Sequence, residues 1–342
     1  MGCGSSKQGM NILSKQLLYK PQSTPPSYTY EAYYINNGTM TSLGTVTDLS
    51  KTFASDEFIY SNVFVCEGNL YNNGSVVRSN GTITSVTGRS TSSSYYGYFV
   101  ESGKLFRYNS SMSINQIGSA TDWIKVCGYA NSSSYRAFAE ASDGLYMLWG
   151  TDSRSRISTL TGWTKITGYG ASGNANYYSY GIKDGKLYYL YANGNGAVQQ
   201  GTDTTWTDIT GSYENGSWYG YGINDGKLYA LSGTPTQIGS DTTWTKVSGT
   251  SSSSGTARAL GLNNGKLYTI YGTTVTQVGS SADWQNCSGY CGSTARAIAC
   301  DSSALYSIQT DGTTTKLLDG DFIYCGQNYD TSGYAVVIRR IS

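Results

Sequence analysis

The chain of 342 residues contains no histidine. This absence removes the commonest general base and the commonest metal ligand, and it rules out Ser–His and Cys–His nucleophile pairs. Neither a P-loop nor a dinucleotide-binding glycine motif is present. The sequence therefore favours a protein that is not an enzyme and that needs no cofactor and no metal.

Charged residues are also scarce, at 13% of the chain, against about 25% in an ordinary soluble domain. The net charge is only +1, so the chain lacks the electrostatic footprint of a nucleic-acid-binding protein. It has no apolar run of about 18 residues, which a membrane-spanning helix needs. The N-terminus has no apolar core of the signal-peptide type. We therefore expect neither a nucleic-acid partner nor a membrane span.

Glycine and tyrosine are abundant, with 43 and 32 residues, and both occur in a repeated phrase. Gly-Lys-Leu-Tyr is found at Gly185–Tyr188, Gly226–Tyr229 and Gly265–Tyr268. Weaker copies surround the leucines Leu70, Leu105, Leu145 and Leu305. The copies are spaced by about 40 residues, and such a period indicates one supersecondary unit copied many times.

Each copy contains four short strand candidates. A clear copy consists of Trp206–Gly211, Trp218–Ile223, Gly226–Leu231 and Pro235–Gly239, and the next copy opens at Trp244. Asn, Asp and Gly separate the second and third candidates, and these residues accept the positive φ of hairpin turns. Four strands in about 40 residues are typical of one blade of a β-propeller.

The two ends of the chain complete the repeat. The first strand of the unit recurs, with Trp, Phe or a degenerate start, at Leu49–Phe53, Ile83–Gly88, Trp123, Trp163, Trp206, Trp244, Trp284 and Phe322. A second strand, Tyr334–Ile338, follows the last copy, and the missing third and fourth strands match Tyr28–Ile35 and Met40–Gly44. The sequence predicts an all-β fold: a single propeller over residues 28–342, with about eight four-stranded blades and a last blade closed by both termini. Seven blades are the alternative.

Residues 1–27 lie outside the repeat and form a predicted N-terminal arm and linker. Met1–Lys7 fits the N-myristoylation pattern at Gly2, with Cys3 as a second acylation site. Two lipid signals give firm membrane anchoring. The alternative interpretation is a flexible Gly/Ser arm that docks into a partner.

The seven cysteines are odd in number and include no Cys-x-x-Cys pair. Cys287, Cys300 and Cys325 occupy repeat positions that are aliphatic in sister copies. Free thiols replace buried aliphatic groups well. We therefore expect reduced core thiols and folding in a reducing cytoplasm.

Two further sets of residues have a structural interpretation. The repeated tryptophans are expected to pack blade against blade. The acidic residues before them, together with Asp143, Asp184 and Asp225, are expected to serve turns and caps.

The aromatic second strands are the candidate ligand-binding elements. They are preceded by variable polar segments such as 131–134, 171–176 and 251–255. Tyrosine combined with Ser, Gly and Asn is typical of binding surfaces. The candidate binding residues, expected to be exposed, are Tyr96, Tyr98, Tyr178, Tyr180, Trp218, Tyr219 and Tyr221.

The blade phrase, Gly-Lys-Leu-Tyr followed by a Gly-ended strand and then Trp-x-x-Val-x-Gly, resembles regulator-of-chromosome-condensation-type and tachylectin-type propellers. The resemblance covers residues 28–342 and implies a propeller that binds proteins or sugars. The copies are shorter than those of the nuclear regulator family and lack its histidine-containing signature, so its nucleotide-exchange role is not carried over. The overall composition is similar to that of phage tail and fibre proteins.

Three functions remain open. The first is a structural or adhesive virion protein made in the host cytoplasm, which binds other virion proteins through its arm and propeller face, or a host-surface glycan or receptor. The second is a multivalent carbohydrate-binding lectin. The third is a lipid-anchored cytosolic scaffold for protein interactions, in which Gly2 and Cys3 provide the membrane association.

Overall fold

The computed structural model of the chain describes residues 28–36, 38–54, 63–89, 96–109, 111–127, 137–149, 153–167, 178–191, 196–214, 217–249, 258–289, 297–327 and 335–341. These residues form eight four-stranded antiparallel sheets, and each sheet is one blade of a β-propeller. In seven of these blades the strand order follows the chain, so each of the seven is an up-and-down meander.

The first part of the chain supplies half of the eighth blade and the first three complete blades. The eighth blade receives β1 (Tyr30–Asn36) and β2 (Thr39–Val46), and a 3-10 turn follows at Leu49–Lys51. The first blade contains β3 (Phe53–Ala54), β4 (Val63–Cys66), β5 (Asn69–Asn72) and β6 (Ser75–Arg78). The second contains β7 (Ile83–Arg89), β8 (Tyr96–Glu101), β9 (Lys104–Asn109) and β10 (Ile114–Gln116). The third contains β11 (Trp123–Cys127), β12 (Ala137–Ala141), β13 (Gly144–Trp149) and β14 (Ser153–Ser158).

The remaining strands continue in the same order. The fourth blade contains β15 (Trp163–Ile166), β16 (Tyr178–Lys183), β17 (Lys186–Tyr191) and β18 (Gly196–Gln200). The fifth contains β19 (Trp206–Glu214), β20 (Ser217–Asn224), β21 (Lys227–Ala230) and β22 (Thr236–Ile238). The sixth contains β23 (Trp244–Ser248), β24 (Arg258–Asn263), β25 (Lys266–Tyr271) and β26 (Thr274–Gln277). The seventh contains β27 (Trp284–Ser288), β28 (Ala297–Asp301), β29 (Ala304–Ile308) and β30 (Thr314–Asp319), and the eighth is completed by β31 (Asp321–Gln327) and β32 (Ala335–Arg340).

The two ends of the chain meet inside the eighth blade. Its strand order is β2-β1-β32-β31, and Ala32 of β1 pairs with Ile338 of β32. Strand pairing between the termini closes the ring and removes the open edges that an unclosed repeat would expose. The prediction of eight blades with a shared last blade is confirmed, and the seven-blade alternative is wrong.

The described core is divided into eight apolar clusters, and each cluster combines side chains from two neighbouring blades. The repeated tryptophans belong to these clusters and are buried, as predicted. The Trp163 ring, for example, packs edge-on against Tyr188 of its own blade, with ring centroids 5.1 Å apart, and shares a cluster with Phe138 of the preceding blade. Apolar burial between blades, which is the main favourable term in folding, therefore acts at every gap of the ring.

The glycine of Gly-Lys-Leu-Tyr makes a contact between blades. Gly226 ends the turn before β21 with φ of +70°, and its carbonyl oxygen accepts from Trp244 N–H of the next blade at 2.9 Å. A Cβ at Gly226 would lie 2.2 Å from Thr242 O. The same bond, from the first residue of a first strand to a turn glycine, is made to Gly68, Gly103, Gly185 and Gly265. The repeated phrase is therefore both a hairpin turn and a link to the next blade.

The third blade makes this link with a side chain. Glu140 is buried at a position where the corresponding residues of β16 and β24 are Ile182 and Leu262. Its Oε1 accepts from Gly162 N–H at 2.5 Å and from Trp163 N–H at 3.3 Å, and its Oε2 lies 3.2 Å from Lys125 Nζ. A carboxylate thus replaces the glycine carbonyl as the acceptor between the third and fourth blades.

The described cysteines are free and buried, namely Cys66, Cys127, Cys287, Cys300 and Cys325. Burial raises the pKa of the Cys66 thiol to about 11 and that of Cys287 to about 12. The prediction that cysteines replace buried aliphatic groups is confirmed for Cys287, Cys300 and Cys325. Cys3 and Cys291 lie outside the described residues.

Candidate functional site

The ring has two faces with different connections. We call the side that carries the turns between second and third strands, including Gly226 and Gly265, the turn face. The opposite side carries the links between first and second strands, and we call it the link face. The variable segments 131–134, 171–176 and 251–255 are such links, and they lie outside the described residues.

Three of the predicted binding tyrosines are buried. Tyr98, Tyr180 and Tyr221 have at most 1% of their surface exposed. Each lies in the middle of its blade on a strand whose side chains fill the gap to the following blade. The expectation that these three side chains are exposed is therefore wrong. Sequence reasoning missed their burial because tyrosine is equally compatible with a binding surface and with a gap between sheets.

The hydroxyls of these buried tyrosines join neighbouring blades. Tyr221 Oη donates to Gly272 O at 2.9 Å, and Tyr180 Oη donates to Leu231 O. Both acceptors belong to the following blade. Burial raises the pKa of Tyr180 and of Tyr221 well above the ordinary value for tyrosine. These hydroxyls are therefore neutral structural donors.

The other predicted site residues stay predictions. Tyr96, Tyr178, Trp218 and Tyr219 lie in β8, β16 and β20, but their side chains are outside the described part of the structure. Gly2 and Cys3 belong to residues 1–27, which are also outside it.

Polar side chains join the first strands of neighbouring blades near the axis of the ring. The first strands have a register irregularity at their start, and the residue just after it reaches the next blade. Ser85 Oγ accepts from Val126 N–H at 3.0 Å and donates to Val126 O at 2.9 Å. Asp208 accepts from Val247 N–H at 2.8 Å. These bonds satisfy backbone groups on the free edge of the innermost strands, where no further strand pairs.

The lysines at the same position make ion pairs and polar contacts between blades. Lys165 Nζ lies 2.5 Å from Asp208 Oδ1, and Lys246 Nζ donates to Asn286 Oδ1 at 2.6 Å. Lys125 pairs with the buried Glu140 of its own blade and donates to Trp163 O of the next blade. In the two ion pairs the amine and the carboxylate compensate each other's desolvation, so removal of one partner would leave an uncompensated charge.

The acidic residues at the turns have the predicted structural partners. Asp203 accepts from Asn224 Nδ2 at 2.8 Å, and Asp241 accepts from Asn263 Nδ2 at 3.1 Å.

Burial opposes ionisation of Glu101, but hydrogen bonds from Arg78 and Asn80 leave the pKa of Glu101 below its ordinary value. Among the described residues, no group of three or more Cys, Asp or Glu side chains is arranged to hold a metal ion.

One arginine at the link face was missed by sequence reasoning. Arg258 opens β24, and its guanidinium carbon lies 4.7 Å from the ring centroid of Tyr271, its cross-strand partner. Tyr271 is 46% exposed. The signal that could have found the pair is the sequence alignment of the second strands, in which the position of Arg258 is either arginine or tyrosine from the second to the eighth blade.

Comparison with solved structures finds other propellers. A catalytically inactive virginiamycin B lyase from Staphylococcus aureus with quinupristin has a TM-score of 0.47 at 7% identity, over 76% of this chain and 95% of that chain. A streptogramin B lyase has a TM-score of 0.46 at 9% identity, over 91% of this chain and 98% of that chain. The Dos1 propeller has a TM-score of 0.45 at 10% identity, over 71% and 74%. No protein-family model matches the chain, and no curated protein sequence matches it.

These structures correct one expectation from the sequence. The missing histidine and the absence of catalytic motifs favour a protein that is not an enzyme, and this is the expectation that they correct. The propellers of similar fold include a lyase, which is an enzyme, so a ring of repeated blades does not exclude catalysis. At 7 to 9% identity the likeness concerns the fold alone. The fold itself suits a binding or protein-interaction role.

No helix among the described residues is long and apolar enough to cross a membrane.

Proposed function

We propose that this chain is a structural or adhesive virion protein whose link face binds a host-surface glycan or receptor or another virion protein. The propeller is the rigid support of this face, and the N-terminal arm docks the ring to the particle. The observation that carries the proposal is that Tyr28, the first described residue, lies at the face opposite to the strand ends that the variable links join.

The position of Tyr28 and Thr29 follows from the eighth blade. In the other blades a turn joins the second and third strands, whereas here the two chain ends replace that turn. Ile341 N–H donates to Thr29 O at 2.9 Å, and the Arg340 guanidinium carbon lies 4.2 Å from the ring centroid of Tyr28. Arg340 also pairs with Asp321 at 3.1 Å. The residues next to the arm are thus fixed at the turn face.

The two faces also differ in how freely their residues can vary. On the turn face, glycines such as Gly185 and Gly226 are constrained by positive φ and by bonds to the next blade. At the link face, the segments between first and second strands differ in length and sequence from blade to blade. A rigid ring with variable connections on one side is the usual way in which a scaffold carries recognition residues.

Composition supports the virion setting. The chain is near-neutral, rich in Tyr, Gly, Ser, Thr and Asn, and its described cysteines are free. Folding in the host cytoplasm followed by assembly into a particle agrees with reduced thiols.

A glycan array and a pull-down from host envelopes test the proposal with two forms of the protein, the full chain and residues 28–342. We expect both forms to bind the same glycan or receptor, and only the full chain to associate with particles. The proposal is wrong if the protein binds no glycan, captures no receptor and does not associate with particles.

A second candidate, a membrane-tethered scaffold, is favoured by the same position of Tyr28 at the turn face. A lipid on Gly2 and Cys3 would place the turn face toward the membrane and leave the link face free for a partner. Intact-mass spectrometry of the native N-terminus decides this point, because acylation adds a defined mass. An unmodified N-terminus rules the tether out.

A further inference from the structure

In the second to eighth blades, the sequence has tyrosine or arginine five residues before the residue that pairs with the Ile, Trp or Phe at the start of the first strand. Arg258 lies five residues before Asn263, the partner of Trp244, and Tyr178 lies five residues before Lys183, the partner of Trp163. The corresponding residues in the other blades from the second to the eighth are Tyr96, Arg136, Tyr219, Arg296 and Tyr334, of which Arg136, Arg296 and Tyr334 lie outside the described residues. Both residue types are enriched at the energetic centres of binding surfaces.

The gap between the sixth and seventh blades differs from the two gaps before it. In the gaps after the fourth and fifth blades, a tyrosine two residues after the position that corresponds to Arg258 donates a hydrogen bond to the following blade. These tyrosines are Tyr180 and Tyr221. The sixth blade has Leu260 instead, which packs against the seventh blade in an apolar cluster. No hydroxyl at this position bridges the gap beside Arg258.

Arg258 keeps a donor that the described residues do not use. Its Nε atom is buried, and no described group accepts from it. The guanidinium lies over the Tyr271 ring at 4.7 Å. The seventh blade lies close to this part of the sixth blade. A Cβ placed on Gly312 of the seventh blade would lie 3.8 Å from Cγ2 of Thr269, which is two residues before Tyr271. The pair therefore stands at the link-face end of a narrow gap.

This geometry suits a carboxylate. A guanidinium held against an aromatic ring presents its N–H groups along its edge, and a carboxylate accepts from two of them in parallel. The exposed Tyr271 ring offers an apolar surface beside the charge, which fits the C–H face of a sugar. An acidic peptide offers the same carboxylate but no rigid ring to cover tyrosine.

We propose that Arg258 and Tyr271 form a binding site for a carboxylate-bearing saccharide in the gap between the sixth and seventh blades. The inference rests on the proposed function, since it names the chemical class of ligand for the link face. Arg258 supplies the bidentate contact to the carboxylate, and Tyr271 supplies the surface under the sugar ring.

Titration calorimetry on the full chain tests the ligand class. The probes are 3′-sialyllactose, a glucuronate-terminated disaccharide, the methyl esters of both, lactose and a poly-glutamate peptide. We expect at least one of the two acidic sugars to bind at least tenfold more tightly than its ester and than lactose. Esterification removes the charge and keeps the sugar ring, so the ratio isolates the carboxylate contact.

Four variants test the residues. Arg258→Gln is expected to weaken acid binding at least tenfold, Arg258→Lys to weaken it less, and Tyr271→Leu to weaken acid and ester alike. Arg154→Gln is the matched control, because Arg154 also lies over an aromatic ring, at 5.5 Å from Trp123, on an outer strand. It is expected to bind like the wild type. Circular dichroism and the unfolding midpoint of each variant separate loss of binding from loss of fold.

The outcomes separate the inference from the proposed function. Glycan binding that ignores esterification, or that survives in a folded Arg258→Gln variant, overturns the inference and leaves the proposed function standing. Binding of the peptide alone, with no sugar bound, assigns the site to acidic peptides and overturns the saccharide assignment. A chain that binds none of the probes overturns the inference, and the glycan array then decides the proposed function separately.

Discussion

The N–H of Trp244 donates to the carbonyl oxygen of Gly226 at 2.9 Å, across the gap between two blades. Trp244 is also buried in the cluster that fills this gap. One residue thus combines the apolar and the hydrogen-bonded contact between neighbouring repeats. In a repeat protein, stability depends on such nearest-neighbour interfaces, and the closed ring has one more interface than an open array of the same blades.

Substitution of Gly226 by alanine is expected to destabilise the ring in two ways. The left-handed backbone costs about 1–2 kcal/mol for a residue with a Cβ. The overlap of this Cβ with Thr242 O, 2.2 Å away, adds a further loss of about 1–3 kcal/mol. The control is Gly239→Ala, because Gly239 has φ of +69° and no atom within 4 Å of the added Cβ. Urea unfolding measures both, and equal losses in the two variants would contradict the role of Gly226 between blades.

Glu140 is expected to be essential to the gap between the third and fourth blades. Glu140→Leu restores the aliphatic residue of the sister blades but leaves Lys125 without its carboxylate and two N–H groups without their acceptor. Breaking a buried pair from one side costs about 3 kcal/mol or more. The double variant Glu140→Leu, Lys125→Met is expected to be more stable than Glu140→Leu alone. A double-mutant cycle by thermal unfolding checks this, and strictly additive losses would disprove the coupling.

The hydroxyl of Tyr180 is expected to stabilise the ring by its bond to Leu231 O. Tyr180→Phe leaves a buried carbonyl without its donor, which costs about 1–2 kcal/mol. Tyr188→Phe serves as the control, because Tyr188 packs on Trp163 and its hydroxyl has no hydrogen bond to the described residues. If both variants lose the same stability in chemical denaturation, the hydroxyl has no structural role.

The buried thiols are expected to resist alkylation in the folded protein. Burial raises the pKa of Cys66 to about 11 and that of Cys287 to about 12, above the ordinary value of 9.0. The unfolded chain therefore loses these protons first as the pH rises, so the stability that they contribute is complete below pH 9 and falls from there toward the folded pKa. Iodoacetamide labelling followed by peptide mass spectrometry should modify both residues only after denaturation. Rapid labelling of Cys287 in the native protein at neutral pH would contradict this.

The sequence predicted the repeat, the four-stranded blade, the shared last blade and the burial of the tryptophans. Each of these depends on a pattern that recurs along the chain, and a repeated pattern averages out local exceptions. It failed for Tyr98, Tyr180 and Tyr221, because a tyrosine side chain fills a gap between sheets as readily as it covers an exposed surface. It also missed Arg258, whose position is visible only when the second strands are aligned by their register with the first strands.

The expectation that the chain is not an enzyme, which rested on missing residue types and motifs, was wrong for a different reason. Fold and function are separable, and propellers of similar architecture include a lyase. The composition and the missing histidine limit which groups are present, but the arrangement of those groups decides what they do.

The sequence by itself determined the repeat and the periodicity of the strands, since turn residues and alternating apolar positions act over a few neighbouring residues. The tertiary structure decided which tyrosines are buried, which glycines contact the next blade and where the two chain ends leave the ring. These properties depend on contacts between blades, and such contacts join residues about 40 positions apart, a separation at which local propensity carries no information. Glu140 shows the difference most clearly: its sequence position predicts an aliphatic residue, and only the neighbouring blade explains the carboxylate.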